Sequence, residues 1–393
     1  MVSTVSRADA VTNGCAFREG TVLTIVTDRR ARPGRARPAA GAVPTAWVIG
    51  VDTHTDSHAA TLIDALGAVV AQTQVAATPD GYAELQDWAQ ALLPAGQRAF
   101  WAVEGTRSHG HGLTRHLLAA GHRVIEAVKP EQGRRRRRGK SDALDATHAA
   151  RAALATEHEP GARHAEPRAD GTREALRMLL VTHRHDTDMR TATVNVFKSL
   201  LLGAGNLRET LRGLTTARQA RAAAALPEDP TADVETRVRV QILRRAAATI
   251  IELDKAIAAT GKQLHTLTKQ ACPGLLDLPG VGPITAATLL TVWSHPGRVH
   301  SEAAFAALGG ISPIPASSGR HQRHRLNRGG DRALNAALHT IVTTRRRIGH
   351  PPTSAYIARR TTEGLSSKEI LRCLKRYAIR QLYRFLQTNA VTT

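Results

Sequence analysis

From Trp47 onward, short apolar runs alternate with polar breaks. Residues 47–51 form a run ending at Asp52, residues 59–64 a second closed by Gly67, and residues 68–75 a third. Their lengths predict three strands with hairpin-length joints. Pro79 and Asp80 then open a stretch in which Tyr82, Leu85, Trp88, Ala89 and Leu92 recur at helical spacing. Residues 98–103 predict a fourth strand ending at Glu104. Leu113, Leu117 and Leu118 mark a helix stopped by Gly121, and residues 123–128 predict a fifth strand. Residues 141–154 are again helical, with Ser141 or Asp142 placed to cap them. The order β-β-β-α-β-α-β-α describes a mixed sheet with helices on its faces.

Downstream the period changes. Residues 155–170 carry Pro, Glu, His and Arg and read as a linker. Residues 172–202 and 234–270 predict long amphipathic helices; in the second, Val238, Ile242, Ala246, Ile250, Leu253 and Ile257 recur every three or four positions. An antiparallel coiled-coil arm and an ordinary bundle core both fit this pattern. After Cys272, the stretch Leu278-Pro279-Gly280-Val281-Gly282-Pro283 precedes an apolar helical run over 284–293, and a Gly-rich region spans 309–330. Asp331 is placed to cap a helix over 331–347 with the stripe Leu334, Ala337, Leu338, Ile341 and Val342, and a last basic helix covers 366–385. The expected organisation is a disordered basic arm over 1–44, an α/β domain over 45–157, a linker and helical arm over 158–271, and a mainly α-helical domain over 272–393.

Composition narrows the function. The 393 residues carry 54 Lys and Arg against 33 Asp and Glu, a formal charge of +21, so a polyanion is the expected partner. Aromatic residues make up 3% of the chain, which argues against a surface that stacks single-stranded bases on rings. Cys15, Cys272 and Cys373 are odd in number and far apart, making neither a disulfide framework nor a metal knuckle, which suits a reducing compartment. The first residues show no apolar signal region, and the uncharged stretch 278–297 is interrupted by Pro279, Gly280, Gly282, Pro283 and Pro296. The expectation is a cytoplasmic protein that works on nucleic acid and not on a membrane.

Four carboxylates stand out by position. Asp52 closes the first strand and Glu104 the fourth, while Asp142 and Asp145 share one face at the start of the helix after the fifth strand. Acids at strand ends and a helix start can converge above one sheet, and clustered carboxylates need cations between them. Oxygen ligands select Mg²⁺ or Mn²⁺, and two such ions can clamp the attacking and leaving oxygens of a phosphodiester. Arg134, Arg135, Arg136, Arg137, Arg138 and Lys140, immediately before the two aspartates, would guide a nucleic-acid backbone toward them. The turn containing Gly280 and Gly282 has the sequence of a helix-hairpin-helix, a phosphate-contacting element that also occurs as plain scaffold. The pairs His109/His111, His183/His185 and His321/His324 lack a third ligand in sequence and read as surface or phosphate-contacting residues.

These residues resemble the DEDD-type transposases and recombinases of bacterial insertion sequences, a group that includes the pilin-gene invertases. The likeness rests on Asp52, Glu104, and Asp142 with Asp145 in Lys140-Ser141-Asp142-Ala143-Leu144-Asp145, and on 278–283, Ser317-Ser318-Gly319 and Asn327-Arg328-Gly329-Gly330-Asp331-Arg332. It implies a ribonuclease-H-like (RuvC-like) first domain with two Mg²⁺ on the four acids. It also implies a serine nucleophile, Ser318 or its neighbour Ser317, beside Arg320, Arg325 and Arg328, which would hold the scissile phosphate. The partners implied are element-end and target DNA, a structured non-coding guide RNA, and further copies of the chain in a homodimer or homotetramer near the bacterial nucleoid. A junction-resolving metal nuclease would use the same acids without the serine, and a non-catalytic nucleic-acid-binding protein would need neither.

Overall fold

A strand covered on both faces must be apolar at every position, and β1 (Trp47–Thr53) is buried over all but its first residue. In the computed structural model, residues 46–127, 141–159, 161–315, 324–325 and 327–391 are described, and they belong to one compact unit, Thr45–Thr393. The arm predicted over 1–44, the basic run 134–138 with Lys140, and Ser317, Ser318 and Arg320 lie outside the described residues. β2 (Ser57–Ile63) and β3 (Val69–Ala76) continue from β1 as an antiparallel meander. Helix α1 (Pro79–Leu92), β4 (Ala99–Val103), α2 (His111–Ala119) and β5 (Val124–Glu126) follow. β4 runs parallel to β1 and β5 parallel to β4, giving the sheet order β3-β2-β1-β4-β5.

Alternation divides the sheet into two faces. Ile49, Val51, Trp101 and Val103 meet Leu85 of α1 and Leu113 and Leu117 of α2. Val48, Phe100, Ala102 and Ile125 meet Ala150, Ala153 and Leu154 of helix α3 (Asp142–His158). The fifth strand is shorter than the sequence predicts, and α3 runs on beyond the predicted 154 to His158.

The two long predicted helices are α4 (Thr172–Leu202) and α7 (Val234–Ala271), and between them lie α5 (Asn206–Leu211) and α6 (Thr216–Ala224). α4 and α7 pair antiparallel: Leu176 and Leu264 enter one core, Arg190 bonds Asp254 partway along, and Leu201 and Leu243 share a second core. In that second core α5 and α6 supply Leu211, Ala220 and Ala223 against Phe197 and Ala247. The far end of the arm is therefore a small four-helix cluster, where the sequence pattern predicts only a connector. α6 enters it through Ala220 and Ala223, and alanines carry little periodic signal.

Helix α8 (Pro283–Trp293) is buried from Thr285 to Trp293 and forms the centre of the largest core. It packs against α4, α7 and α10 (Arg332–Arg347), and the same region carries α9 (Glu302–Leu308), the hairpin of β6 (Ile314–Pro315) and β7 (His324–Arg325), α11 (Pro351–Thr362) and α12 (Ser367–Asn389). Phe305, Leu334, Leu338, Ile341, Ile379 and Leu382 belong to that core. Asp331 caps α10 as predicted, accepting from the Leu334 amide at 2.9 Å. Among the described residues no helix is long and apolar enough to cross a membrane.

Candidate metal centre

Register places the first two acids side by side. Val51 of β1 pairs with Val103 of β4, and the Glu104 amide donates to the Val51 carbonyl at 2.9 Å, so the ladder extends to Asp52 and Glu104. Both are 7% exposed, and by alternation both lie on the α3 face of the sheet.

The second pair of acids arrives on α3. Ser141, not Asp142, caps this helix: its hydroxyl accepts from the Leu144 amide at 3.3 Å. Asp142 and Asp145 are left in the first turn, where the helix dipole favours negative charge. Their approach to Asp52 depends on Gly50, because a Cβ there would stand 2.1 Å from the Ala146 carbonyl oxygen and 2.5 Å from the Ala150 amide nitrogen. Hydrogen bonds fix the same turn laterally. Gln72 of β3 donates to Thr61 at 3.1 Å and to Thr147 at 3.2 Å, and Thr61 of β2 donates to the Ala143 carbonyl at 3.3 Å.

The result is a compact ligand set. Oxygens of Asp52 and Asp142 and a ring nitrogen of His54 all lie within 4.8 Å of one another. His54 Nε2 is 3.3 Å from Asp52 Oδ2 and 3.3 Å from Asp142 Oδ1, and it is buried without a well-formed hydrogen bond. A buried nitrogen between two carboxylate oxygens, lacking a proper hydrogen bond, suits a divalent ion in both donor chemistry and spacing. Burial pushes the Asp52 carboxyl above its ordinary range; Glu104 adds to the rise, as do Asp145 and Asp142, and His54 opposes it. Asp52 and Asp142 thus share one ligand set with His54, while Glu104 and Asp145 lie close enough to act on the Asp52 charge.

His54 is the residue that sequence reading passed over. It stands two positions after Asp52, and the two-residue period of a strand was the signal that could have placed both on one side.

The remaining predicted positions are dispersed. Gly280 has φ +79, and a Cβ on it would meet the Ile341 carbonyl oxygen at 2.6 Å, so this glycine serves close packing against α10. Arg345, itself buried, donates through Nε to the Pro279 carbonyl at 2.7 Å and holds the turn down. Gly282 caps α8 and faces open space. Arg325 is an exposed residue of β7, whereas Arg328 lines a cavity of about 450 Å³ with Arg332, His339 and Lys375.

Carboxylates crowded at the ends of neighbouring parallel strands, with an imidazole between two of them, are compatible with divalent-metal binding in a nuclease-like α/β domain. Two transposase family models match the chain. One, described as a transposase of the DEDD type found in IS110, covers residues 49–205 and takes in all four acids. The other, the transposase IS116/IS110/IS902 family, covers residues 272–358. The chain belongs to this family of insertion-sequence transposases, enzymes that cut and rejoin DNA, and DNA is therefore a partner. No curated protein compared with it is a significant match.

Proposed function

We propose that the chain transfers DNA strands from a metal centre on a ribonuclease-H-like (RuvC-like) domain over residues 45–157. The observation that carries this reading is the buried Asp52 carboxylate, with His54 between it and Asp142 and with Glu104 and Asp145 close enough to act on its charge. The strand order, an antiparallel meander extended by two parallel strands, supports the fold assignment. Two Mg²⁺, or Mn²⁺ in their place, would be held by the four acids; when bound they neutralise phosphate oxygens and favour ionisation of the attacking hydroxyl. The charged form of Asp52 is the one that serves, and His54 favours that form. The helical arm over 158–271 and the domain over 272–393 would bring the nucleophile to this point, in a homodimer or homotetramer.

Ser318, or Ser317 beside it, attacks phosphorus through its hydroxyl oxygen and displaces a deoxyribose oxygen, which leaves with a proton. The serine–phosphate ester conserves the energy of the broken bond, and attack by a second DNA end re-forms a phosphodiester and frees the serine. Arg320, Arg325 and Arg328, together with Gly282 at the start of α8, would neutralise and position backbone phosphates. The basic run 134–138 with Lys140 would lead the strand to the acids, and a structured guide RNA would choose donor and target. Incubation with element-end DNA, guide RNA and Mg²⁺ should yield a covalent protein–DNA adduct that is lost in Asp52→Asn and Ser318→Ala. An adduct lost in Ser317→Ala instead moves the nucleophile by one residue. Cleavage that survives both serine changes would make the protein a junction-resolving nuclease.

A further inference from the structure

Outside the acid cluster, Arg107, Arg173 and Arg298 lie close enough to Arg168 to act on its charge. Arg107 lies in the loop after β4, three residues past Glu104, and Arg107 Nε stands 3.7 Å from Glu126 at the end of β5. That is the end of the parallel strands on which the acids also sit. Arg173 opens α4 and is only 6% exposed; its Nε donates to the Thr291 carbonyl at 3.1 Å. Arg298 donates through Nη1 to the next carbonyl, that of Val292, at 3.1 Å. The last turn of α8 therefore fixes two guanidiniums side by side. Ser294, with φ 73, ends that helix and accepts from the Ala169 amide at 2.9 Å, which ties the segment carrying Arg168 to the same place.

These arginines lack sufficient partners. Arg168 Nε, Arg173 Nη2 and Arg298 Nε are buried without a hydrogen bond. The acids nearby are shared among several cations: Glu126 acts on Arg298 as well as pairing with Arg107, Glu174 bonds Arg177 as well as Arg173, Glu166 pairs with His295, and Asp331 caps α10. Burial, followed by the charges of Arg107, Arg298 and Arg173, pushes the Arg168 guanidinium down to about 10, while Asp331 opposes more weakly. Buried guanidinium nitrogens left unpaired are costly, and an anion held at the exposed Arg107 would offset their charge from close by.

We infer that Arg107, Arg168, Arg173 and Arg298 bind a backbone phosphodiester of the nucleic acid whose neighbouring segment lies at the acid cluster. This site rests on the nucleic-acid-joining function proposed above. Arg107, Arg168 and Arg173 fall in one family segment and Arg298 in the other, so one phosphate would bridge both.

The test measures binding without divalent metal, in EDTA, so that its result is independent of whether the acids support cleavage. A duplex DNA and a hairpin RNA of equal length are titrated with the full chain, with Arg107→Gln and with Arg298→Gln across a series of KCl concentrations. Loss of one phosphate contact should lower the slope of log Kd against log salt by about 0.9 on duplex DNA and weaken binding about tenfold. A change on the DNA probe alone assigns the phosphate to DNA, on the RNA probe alone to RNA, and either supports the site. Where Arg298→Gln lowers the melting temperature, Arg107→Gln decides, since its side chain is 49% exposed. Unchanged slopes on both probes overturn the inference, while loss of Mg²⁺-dependent cleavage in Asp52→Asn would still stand.

Discussion

Burial and neighbouring acids both act against the charge of Asp52. Its pKa is raised, chiefly by burial and then by Glu104, so in metal-free protein it keeps its proton to higher pH than an aspartate in the unfolded chain. Over that window the native state binds the extra proton, and the stability this confers is lost as pH rises through the raised pKa. Asp52→Asn should therefore melt at a higher temperature than the wild type at neutral pH in EDTA, with the difference shrinking on acidification. Saturating Mg²⁺ should reverse the order, since a ligand at one hundred times its Kd adds about 2.7 kcal/mol to a protein that binds it. Thermal scans with and without metal check both signs. Asp52, Glu104, Asp142 and Asp145 were legible in the sequence because each sits at an element boundary. His54 was not, because a lone histidine after a strand has many uses and only the fold shows which acids flank it.

Among the elements, α3 sets the geometry of the site. It lies against β1 through Ala146 and Ala150, which is possible only over Gly50. Gly50→Ala should cost about 1–3 kcal/mol by overpacking and should also weaken metal binding, because the helix that moves carries Asp142 and Asp145. Urea melts and a Mn²⁺ titration would register the two effects separately. The helical pattern of α3 was evident from its sequence, but the meaning of Gly50 was not: a glycine in a strand can mark a bulge, a bend or a close neighbour. Gly280 makes the same point in reverse. Its turn has a phosphate-binding sequence, yet the space beside its Cα is taken by the Ile341 carbonyl. The periods of α4 and α7 fixed their bounds well, whereas the alanine-rich α6 offered no comparable signal. Phe197 is fully buried in the cluster that α5 and α6 complete, so Phe197→Ala should cost about 3–5 kcal/mol. Hydrogen exchange should localise the loss to the far end of the arm and leave the sheet protected.

For the whole molecule, charge and connectivity point the same way. A formal charge of +21 on 393 residues suits a protein that holds nucleic acid, and two of its arginines, Arg173 and Arg298, are anchored on α8. Leu176 of α4 and Leu264 of α7 enter the same core as α8, α10 and α12, so the arm is rooted in the C-terminal helices. Sequence periodicity could outline these pieces but could not show that one core joins them, because such contacts link positions far apart in the chain. The most direct measurement of the central claim is Mn²⁺ binding by calorimetry to the full chain, to Asp52→Asn and to Asp142→Asn. The wild type should bind saturably, and each variant should lose at least tenfold in affinity. Equal Mn²⁺ affinity in all three proteins would contradict the account.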